Sequence, residues 1–303
     1  MKVFTYGFWD DFIEKSHEKI FLNLLSKVFG EECILGTPEE SEILLECSFK
    51  SDTYLKYKKW KYTFYYCGES NKNIESISSN EYLETFKMYD CILRGEENNN
   101  NIINFPFYIY YIFRNLFVEK IENTPKIIKI PPKNICVIIS NPNGSERNYF
   151  CDKLEKHFEI DYAGSYKNNV PQLLDMYDTE KFQEFISQYK FIISMENTKE
   201  HNYITEKIVN GFLSGNIPIY WGSNNVKDHF NIDRFINVEN MNDDTIDNVI
   251  SRMKELMDDE EKYLKMVNSN IFPNENNKLT RTIEDVSEDI QKLILKLPEQ
   301  VIG

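Results

Sequence analysis

Residues 191–225 bring together side chains that could bind and activate a phosphate-bearing ligand. A strand-like apolar run ends just before Glu196 and Asn197, and a helix is predicted to begin near Thr205, with Lys207 in its first turn. The N–H groups and the dipole at the start of a helix favour anions, and the Lys207 ammonium adds a full positive charge. The arrangement predicts a phosphate site at the start of this helix.

A plainer interpretation of the same residues stays open when only spacing is considered. Thr205 would then simply cap the helix, and Glu206 and Lys207 would form an ion pair at the surface. Tyr203, in the loop before the helix, would be a core aromatic rather than a ligand contact.

The overall charge of the chain restricts the ligands that such a site could serve. The 303 residues include 49 acidic and 35 basic side chains, for a formal net charge of −14. A chain this acidic repels the nucleic-acid backbone and anionic membrane surfaces, so neither is an expected partner. A phosphate-bearing ligand would need a few cations placed locally.

Several common motifs of nucleotide-binding and hydrolytic enzymes are absent from the sequence. It contains no Asp-x-Asp tripeptide, no G-x-G-x-x-G, no G-x-x-x-x-G-K-S/T and no G-x-S-x-G. Its four histidines do not show the spacing of metal ligands. We therefore expect metal-independent chemistry, in which Lys, Arg and a helix dipole stabilise the charge of a leaving group.

Strand-like runs alternate with helical stretches twice, on either side of the proline-rich residues 124–133. The first series predicts strands at residues 2–6, 33–35, 43–47, 62–67 and 90–93, and helices at 12–29 and 105–117. The second predicts strands at residues 134–140, 160–163, 191–195 and 217–221, and helices at 146–157, 179–188, 205–214, 243–257, 260–268 and 282–295. Such alternation predicts two doubly wound α/β domains with parallel sheets, whose ligands bind at the carboxyl ends of the strands.

Residues 191–225 also resemble a known signature, that of the α-1,3/4-fucosyltransferases, glycosyltransferase family ten. The pattern matches at Met195-Glu196-Asn197, at Tyr203-Ile204-Thr205-Glu206-Lys207 and at Ile217-Pro218-Ile219-Tyr220-Trp221-Gly222. The bacterial branch of the family is the most similar. Met195 stands where the family usually has Phe, a change in packing rather than in chemistry.

The resemblance is strong over residues 134–240 and weaker, but collinear, over residues 1–125. Ser140-Asn141-Pro142-Asn143 with Arg147 is similar to the segment that places an arginine on the donor pyrophosphate. The run from Asp161 to Gly164, with Lys167 and Asn168, resembles the following strand and its turn. Glu69, in Tyr65-Tyr66-Cys67-Gly68-Glu69-Ser70, corresponds to the family's general base, although Ser70 replaces the usual Asn.

The resemblance implies the GT-B architecture, two Rossmann-like domains that face each other across a cleft. Residues 1–124 would bind the acceptor, residues 125–275 would bind the nucleotide sugar, and residues 276–303 would form a helical segment that packs back. The implied catalytic residues are Glu69 as base and Glu206 at the sugar. The implied donor-binding residues are Arg147, Lys207, Asn197, Tyr203, Glu196, Gly164, Lys167 and Asn168.

The function implied is inverting transfer of L-fucose from GDP-fucose to a hydroxyl of an acceptor glycan, with an α-1,3 linkage to a GlcNAc-type sugar, as in glycan biosynthesis or protein glycosylation. GDP-fucose is a substrate, and no metal or other cofactor is expected. Two alternatives remain: the same fold with another nucleotide-activated deoxysugar, and a catalytically silent carbohydrate-binding relative.

The cysteines and the chain's apolar runs bear on its location. The six cysteines lack C-x-x-C spacing and lie mostly in apolar runs, as buried free thiols of a reducing compartment would. The N-terminus does not read as a secretory signal, and no run of 18 apolar residues predicts a membrane span. We expect a soluble or cytoplasmic chain; a trimmed form of a membrane-anchored protein is the alternative.

Overall fold

A computed structural model describes residues 1–50, 52–70, 87–173 and 179–295. The chain divides into two compact units. One, the N-terminal unit, takes in Met1–Arg114 together with the C-terminal segment that begins at Arg281, and the other, the central unit, is Asn115–Thr280.

The strands of the described residues, in chain order, are β1 (Lys2–Tyr6), β2 (Ile34–Leu35), β3 (Ile43–Cys47), β4 (Tyr62–Cys67), β5 (Cys91–Arg94), β6 (Ile102–Asn104), β7 (Lys133–Val137), β8 (Asp161–Tyr162), β9 (Tyr189–Met195), β10 (Ile217–Trp221) and β11 (Ile236–Asn237). The helices are α1 (Lys19–Phe29), α2 (Phe107–Arg114), α3 (Val118–Glu122), α4 (Ser145–Leu154), α5 (Glu180–Ile186), α6 (Glu206–Leu213), α7 (Val226–His229), α8 (Asp243–Asp258), α9 (Glu260–Val267) and α10 (Ile283–Leu295).

The N-terminal unit is built on a parallel sheet with the strand order β2-β1-β3-β4-β5-β6. Helix α10, from the C-terminal segment, packs against α1 of this unit. Strand β3 is buried along its whole length, as expected of an inner strand with both faces covered. The carboxyl end of β4 leads directly to Gly68 and Glu69.

Helix α1 is shorter than predicted, because it begins at Lys19 and not at residue 12. Ser16 has a φ of 57°, which a continuous right-handed helix cannot contain. The turns before α1 instead pack Phe12 against Phe8, with ring centroids 3.8 Å apart. The apolar spacing that predicted the helix therefore continues into residues 12–18, which form turns and not helix.

The central unit contains a second parallel sheet, with the order β11-β10-β9-β7-β8. Strand β9 contributes to two cores, since Phe191 and Ile193 pack on one face of the sheet and Ile192 packs on the other. This double burial explains why residues 191–193 read as a continuous apolar run without alternation.

The order of the second sheet creates a topological switch point. From β7 the chain passes to β8 on one side and then to β9 on the other, so the two connections diverge between β7 and β9. In doubly wound sheets ligands bind outside the carboxyl ends of the strands at such a point. Helices α4 and α6 begin shortly after β7 and β9.

The structure also bears on the cysteines and on membrane insertion. All six cysteines are buried free thiols, as predicted. Burial raises the pKa of the Cys67 thiol to about 11, which leaves it protonated and unreactive at neutral pH. Among the described residues, no helix combines the length and the apolar character needed to cross a bilayer.

Candidate active site

A cavity of about 210 Å³ opens at the switch point of the central unit. Its walls come from β9, from the segment that follows β7 and from the N-terminal parts of α4 and α6, with one side chain from α5. The residues that line it are Ile138, Ile139, Ser140, Asn141, Arg147, Phe182, Ile192, Ile193, Met195, Asn197, Glu206, Lys207 and Asn210. Four predicted site residues, Arg147, Asn197, Glu206 and Lys207, therefore meet in one cavity.

Arg147 reaches this cavity from the first turn of α4, and only 5% of the residue is exposed. Its Nη1 donates to Asn197 Oδ1 at 3.0 Å, and its Nη2 donates to the carbonyl of Asn141 at 2.6 Å. Within the described part of the chain, Nε has no hydrogen-bond partner. Burial lowers the pKa of the Arg147 guanidinium, and nearby ionisable groups such as Glu196 oppose that shift only in part. A buried cation with an unsatisfied donor is a favourable partner for an anion.

Gly144 gives the Arg147 guanidinium its space. A Cβ at position 144 would lie 3.0 Å from Arg147 Nη2 and 3.1 Å from Cζ. A larger residue there would displace the guanidinium from Asn197 and Asn141.

Lys207 approaches the same cavity from the first turn of α6, as part of a cluster with Glu196 and Thr205. Lys207 Nζ donates to Glu196 Oε2 at 3.0 Å and to Thr205 Oγ1 at 2.8 Å. Its ammonium also lies 3.6 Å from Glu206 Oε1, and its side chain is 26% exposed. The charge of Lys207 is thus held at the cavity wall.

Thr205 has a different role from the predicted helix cap. It stands at the N-cap position, but its side chain makes no capping hydrogen bond. Its hydroxyl donates instead to Glu196 Oε2 at 2.7 Å, while its backbone N–H donates to Glu196 Oε1 at 2.8 Å. The carboxylate of Glu196 competes successfully for the hydroxyl because a charged acceptor binds a donor more strongly than a neutral one.

Glu196 itself is fully buried and does not line the cavity. Burial raises the pKa of its carboxyl, and the ammonium of Lys207 opposes that shift. Gly222 makes room for the side chain, since a Cβ at position 222 would lie 2.5 Å from Glu196 Cγ and 2.5 Å from Tyr220 Oη. The side chains of Glu196 and Tyr220 thus both approach Gly222 closely.

The loop between β9 and α6 is held by a polar network that the sequence did not predict. Asn202 has a φ of 59°, and its N–H donates to Ser223 Oγ at 2.8 Å and to Asn225 Oδ1 at 3.0 Å. Asn225 returns a hydrogen bond to Asn202 Oδ1 at 2.6 Å, and His229 Nε2 lies 3.1 Å from that oxygen. In the sequence, the polar run Ser-Asn-Asn after Gly222 is the feature that could have indicated these hydrogen-bond partners. Tyr203, the next residue in the loop, is buried.

The turn after β8 holds three more of the predicted residues, and none of them lines the cavity. Gly164 permits a close backbone contact, since a Cβ there would lie 2.1 Å from the carbonyl oxygen of Ile139. Lys167 is bound by Asp152 of α4 at 2.6 Å and by Glu155, the residue after that helix, at 2.9 Å. Asn168 donates to backbone carbonyls of its own turn, including that of Gly164 at 3.0 Å. These contacts shape the loop that follows β7.

Glu69 belongs to the N-terminal unit, where it is exposed just beyond the end of β4. The Cys67 thiol donates to its backbone carbonyl at 3.5 Å. Ser70, which replaces the family's usual Asn, is buried. Among the described residues of the chain, no group of three or more His, Cys, Asp or Glu side chains could hold a metal ion.

Comparison with known proteins identifies the family of the central unit. Residues 129–271 match the family described as glycosyltransferase family 10 (fucosyltransferase), C-terminal. An alpha-(1,3)-fucosyltransferase of Helicobacter pylori is 38% identical over 133 residues, which are 44% of this chain and 26% of that protein. A 4-galactosyl-N-acetylglucosaminide 3-alpha-L-fucosyltransferase 9 of Bos taurus is 30% identical over 170 residues, 55% of this chain and 43% of that protein. The matches thus span between about a quarter and two fifths of these relatives.

Solved structures extend the likeness to nearly the whole chain. A crystal structure of an alpha1,3-fucosyltransferase with GDP-fucose has a TM-score of 0.72 and 22% identity, and the match covers 98% of this chain and 91% of that one. A structure with GDP gives a TM-score of 0.70 at 22% identity, over 97% and 89% of the two chains. This likeness confirms the predicted fold class, the GT-B type with two Rossmann-like regions. The match at residues 129–271, just under half of the chain, relates the central unit to the C-terminal domain of glycosyltransferase family 10, the fucosyltransferases.

Proposed function

We propose that the protein transfers L-fucose from GDP-fucose to a hydroxyl group of an acceptor glycan. The observation that carries this proposal is the convergence of Arg147 and Lys207 on one cavity at the β7/β9 switch point. Each cation comes from the first turn of a helix, where free N–H groups and the helix dipole add to the attraction for phosphate.

The two cations stabilise the leaving diphosphate in different ways. The guanidinium of Arg147 is planar and can present two parallel donors to phosphate oxygens, whereas Lys207 acts as a point charge. Both are partly or largely withdrawn from water, which strengthens their attraction for the charge that develops as GDP departs. Leaving-group stabilisation of this kind requires no metal.

The remaining predicted residues take roles around the sugar and the nucleotide. Glu206 lines the cavity beside Lys207 and faces the positive charge that develops on the sugar ring. Asn197 holds Arg147 and contributes an amide to the nucleotide, and Tyr203 supports the loop that follows Asn197.

The N-terminal unit supplies the acceptor site and its base. Glu69 removes the proton from an acceptor hydroxyl, the oxygen forms a bond to the anomeric carbon, and the bond to the diphosphate breaks with its electron pair on GDP. Attack from the side opposite the leaving group inverts the anomeric configuration. A general base of this kind contributes typically about 10²–10⁴-fold to the rate. The acceptor class we propose is a GlcNAc-type sugar, with an α-1,3 linkage in the product, as in glycan biosynthesis or protein glycosylation.

A panel of nucleotide sugars tests the proposal. Each donor is incubated with the protein, EDTA and a mixture of GlcNAc-terminated oligosaccharides, and the products are analysed by NMR. GDP-fucose should give a fucosylated product with the inverted anomeric configuration. Turnover with a different nucleotide-activated deoxysugar alone would favour the first alternative, and binding of glycans without turnover of any donor would favour a carbohydrate-binding relative.

A further inference from the structure

Glu196 is a buried ionisable group that the proposed transfer does not use directly. Its carboxylate accepts hydrogen bonds from the Thr205 N–H, the Thr205 hydroxyl and the Lys207 ammonium, at 2.8, 2.7 and 3.0 Å. The residue has no exposed surface and is absent from the cavity wall. The resemblance to the family assigned it to donor binding, but a group in this position can influence a ligand only through its partners.

We propose that Glu196 is a positioning residue, which fixes the Lys207 ammonium and the first turn of α6 at the place where the donor phosphates bind. The inference rests on the proposed donor site, since it concerns how that site is held in shape.

The hydrogen bonds of Thr205 show how the positioning works. Thr205 Oγ1 donates to Glu196 and accepts from Lys207, so the three side chains form a closed triangle. A lysine side chain is long and flexible, and ordering it when a ligand arrives would cost conformational entropy. Here that ordering is already present before a phosphate binds. Glu196 also holds the backbone N–H at the helix start, so one carboxylate fixes both phosphate-binding features of α6.

The surroundings of Glu196 are built to keep it in this position. Gly222 is the residue after β10, and any Cβ there would overlap Glu196 Cγ at 2.5 Å. The Glu196 N–H donates to the carbonyl of Trp221 at 2.8 Å, which ties the two strand ends together. Gly222 and the Trp221 carbonyl therefore hold Glu196 in place through protein contacts alone.

A double-mutant cycle tests the inference. GDP affinity is measured by calorimetry for the wild type, Glu196→Gln, Lys207→Met and the double variant, and thermal melting checks each fold. We expect Glu196→Gln to weaken GDP binding roughly tenfold, the effect of losing one charge-assisted contact. Because the Gln carbonyl can still accept from the Thr205 N–H, Glu196→Gln should act through Lys207, and the double variant should bind no more weakly than Lys207→Met. Effects that add, or an unchanged affinity in Glu196→Gln, would overturn the inference.

A second pair of variants serves if Glu196→Gln does not fold. Thr205→Val removes the hydroxyl but keeps the backbone N–H that donates to Glu196, whereas Thr205→Ser keeps both. GDP affinity should fall in Thr205→Val and be retained in Thr205→Ser. Equal affinities in the two variants would contradict a relay through this hydroxyl.

Glu46 offers a matched control in the N-terminal unit. It is buried in β3 and accepts hydrogen bonds from Tyr54 N, Thr53 Oγ1 and Tyr89 Oη at 2.8, 2.7 and 2.6 Å. Glu46→Gln should therefore change the melting temperature without changing GDP affinity. If Glu46→Gln and Glu196→Gln lost affinity equally, the loss would be a general consequence of removing a buried carboxylate, and the inference would fail. If wild-type protein fails to bind GDP, the proposed function fails; if it binds and the cycle is additive, only the role of Glu196 fails.

Discussion

Replacing Arg147 by Gln should weaken GDP binding strongly while leaving the fold largely intact. The substitution removes the charge and the donor at Nε, which has no partner in the described part of the chain. The shorter amide can still donate a hydrogen bond toward Asn197 or the Asn141 carbonyl, the two acceptors of the guanidinium. The loss should therefore appear mainly in ligand binding.

The expected size follows from the contact that is lost. A charge-assisted hydrogen bond contributes about 1.5–3 kcal/mol. At about 1.4 kcal/mol per factor of ten, GDP affinity should fall roughly 10- to 150-fold. Stability should change little, because the lowered pKa of Arg147 means that the folded state disfavours its charged form, and the neutral amide avoids that cost.

Calorimetric titration with GDP in EDTA measures this effect, and Lys153→Gln provides the control. Lys153 lies on the same helix but pairs with Asp243 at 2.8 Å and does not line the cavity. Its substitution should leave GDP affinity within about twofold of wild type, since exposed ion pairs contribute little. An Arg147→Gln variant with wild-type affinity, or one that loses affinity only because it unfolds, would refute the reasoning.

Three further predictions concern the base, the loop and the turn after β8. Glu69→Gln should keep GDP affinity and lose about 10²–10⁴-fold in turnover, measured by product formation; unchanged turnover would remove Glu69 as the base. Gly222→Ala should lower both the melting temperature and GDP affinity, because its Cβ would overlap Glu196; a variant with wild-type melting and binding would contradict that packing. Lys167→Gln should reduce GDP affinity less than Lys207→Met, because Asp152 and Glu155 hold its ammonium; the reverse order would show that Lys167 contacts the donor.

The sequence predicted the fold well where strands are buried on both faces. The bounds of β3, β4 and β10 match the predicted ones at both ends, because each strand is a dense apolar run that ends at polar residues or glycine. It missed β6 and β11, which have only three and two residues and carry little pattern. It also placed the start of α1 too early, since the buried Phe12 continues the helical spacing through a left-handed turn at Ser16.

The site was predictable in part, for a physical reason. The strand end and the helix start indicated Asn197 and Lys207, and the family resemblance added Arg147 and Glu206. Parallel sheets bring such positions together. The direction of a side chain does not follow from that logic. Glu196 leaves β9 at the same edge but turns inward, where Gly222 leaves room for it. The Thr205 hydroxyl likewise donates to Glu196 and does not cap the helix. That outcome depends on a tertiary contact, which the spacing of residues along the chain does not reveal.

The most direct test of the proposed donor site is a crystal structure with GDP and Mg²⁺ both present. We expect diphosphate oxygens within hydrogen-bond distance of the Arg147 guanidinium and the Lys207 ammonium, with no metal ion between the phosphates and the protein. We also expect Glu196 to keep its contacts with Thr205 and Lys207 when GDP is bound. A diphosphate held through a metal by acidic side chains, or GDP bound away from the β7/β9 edge, would contradict it.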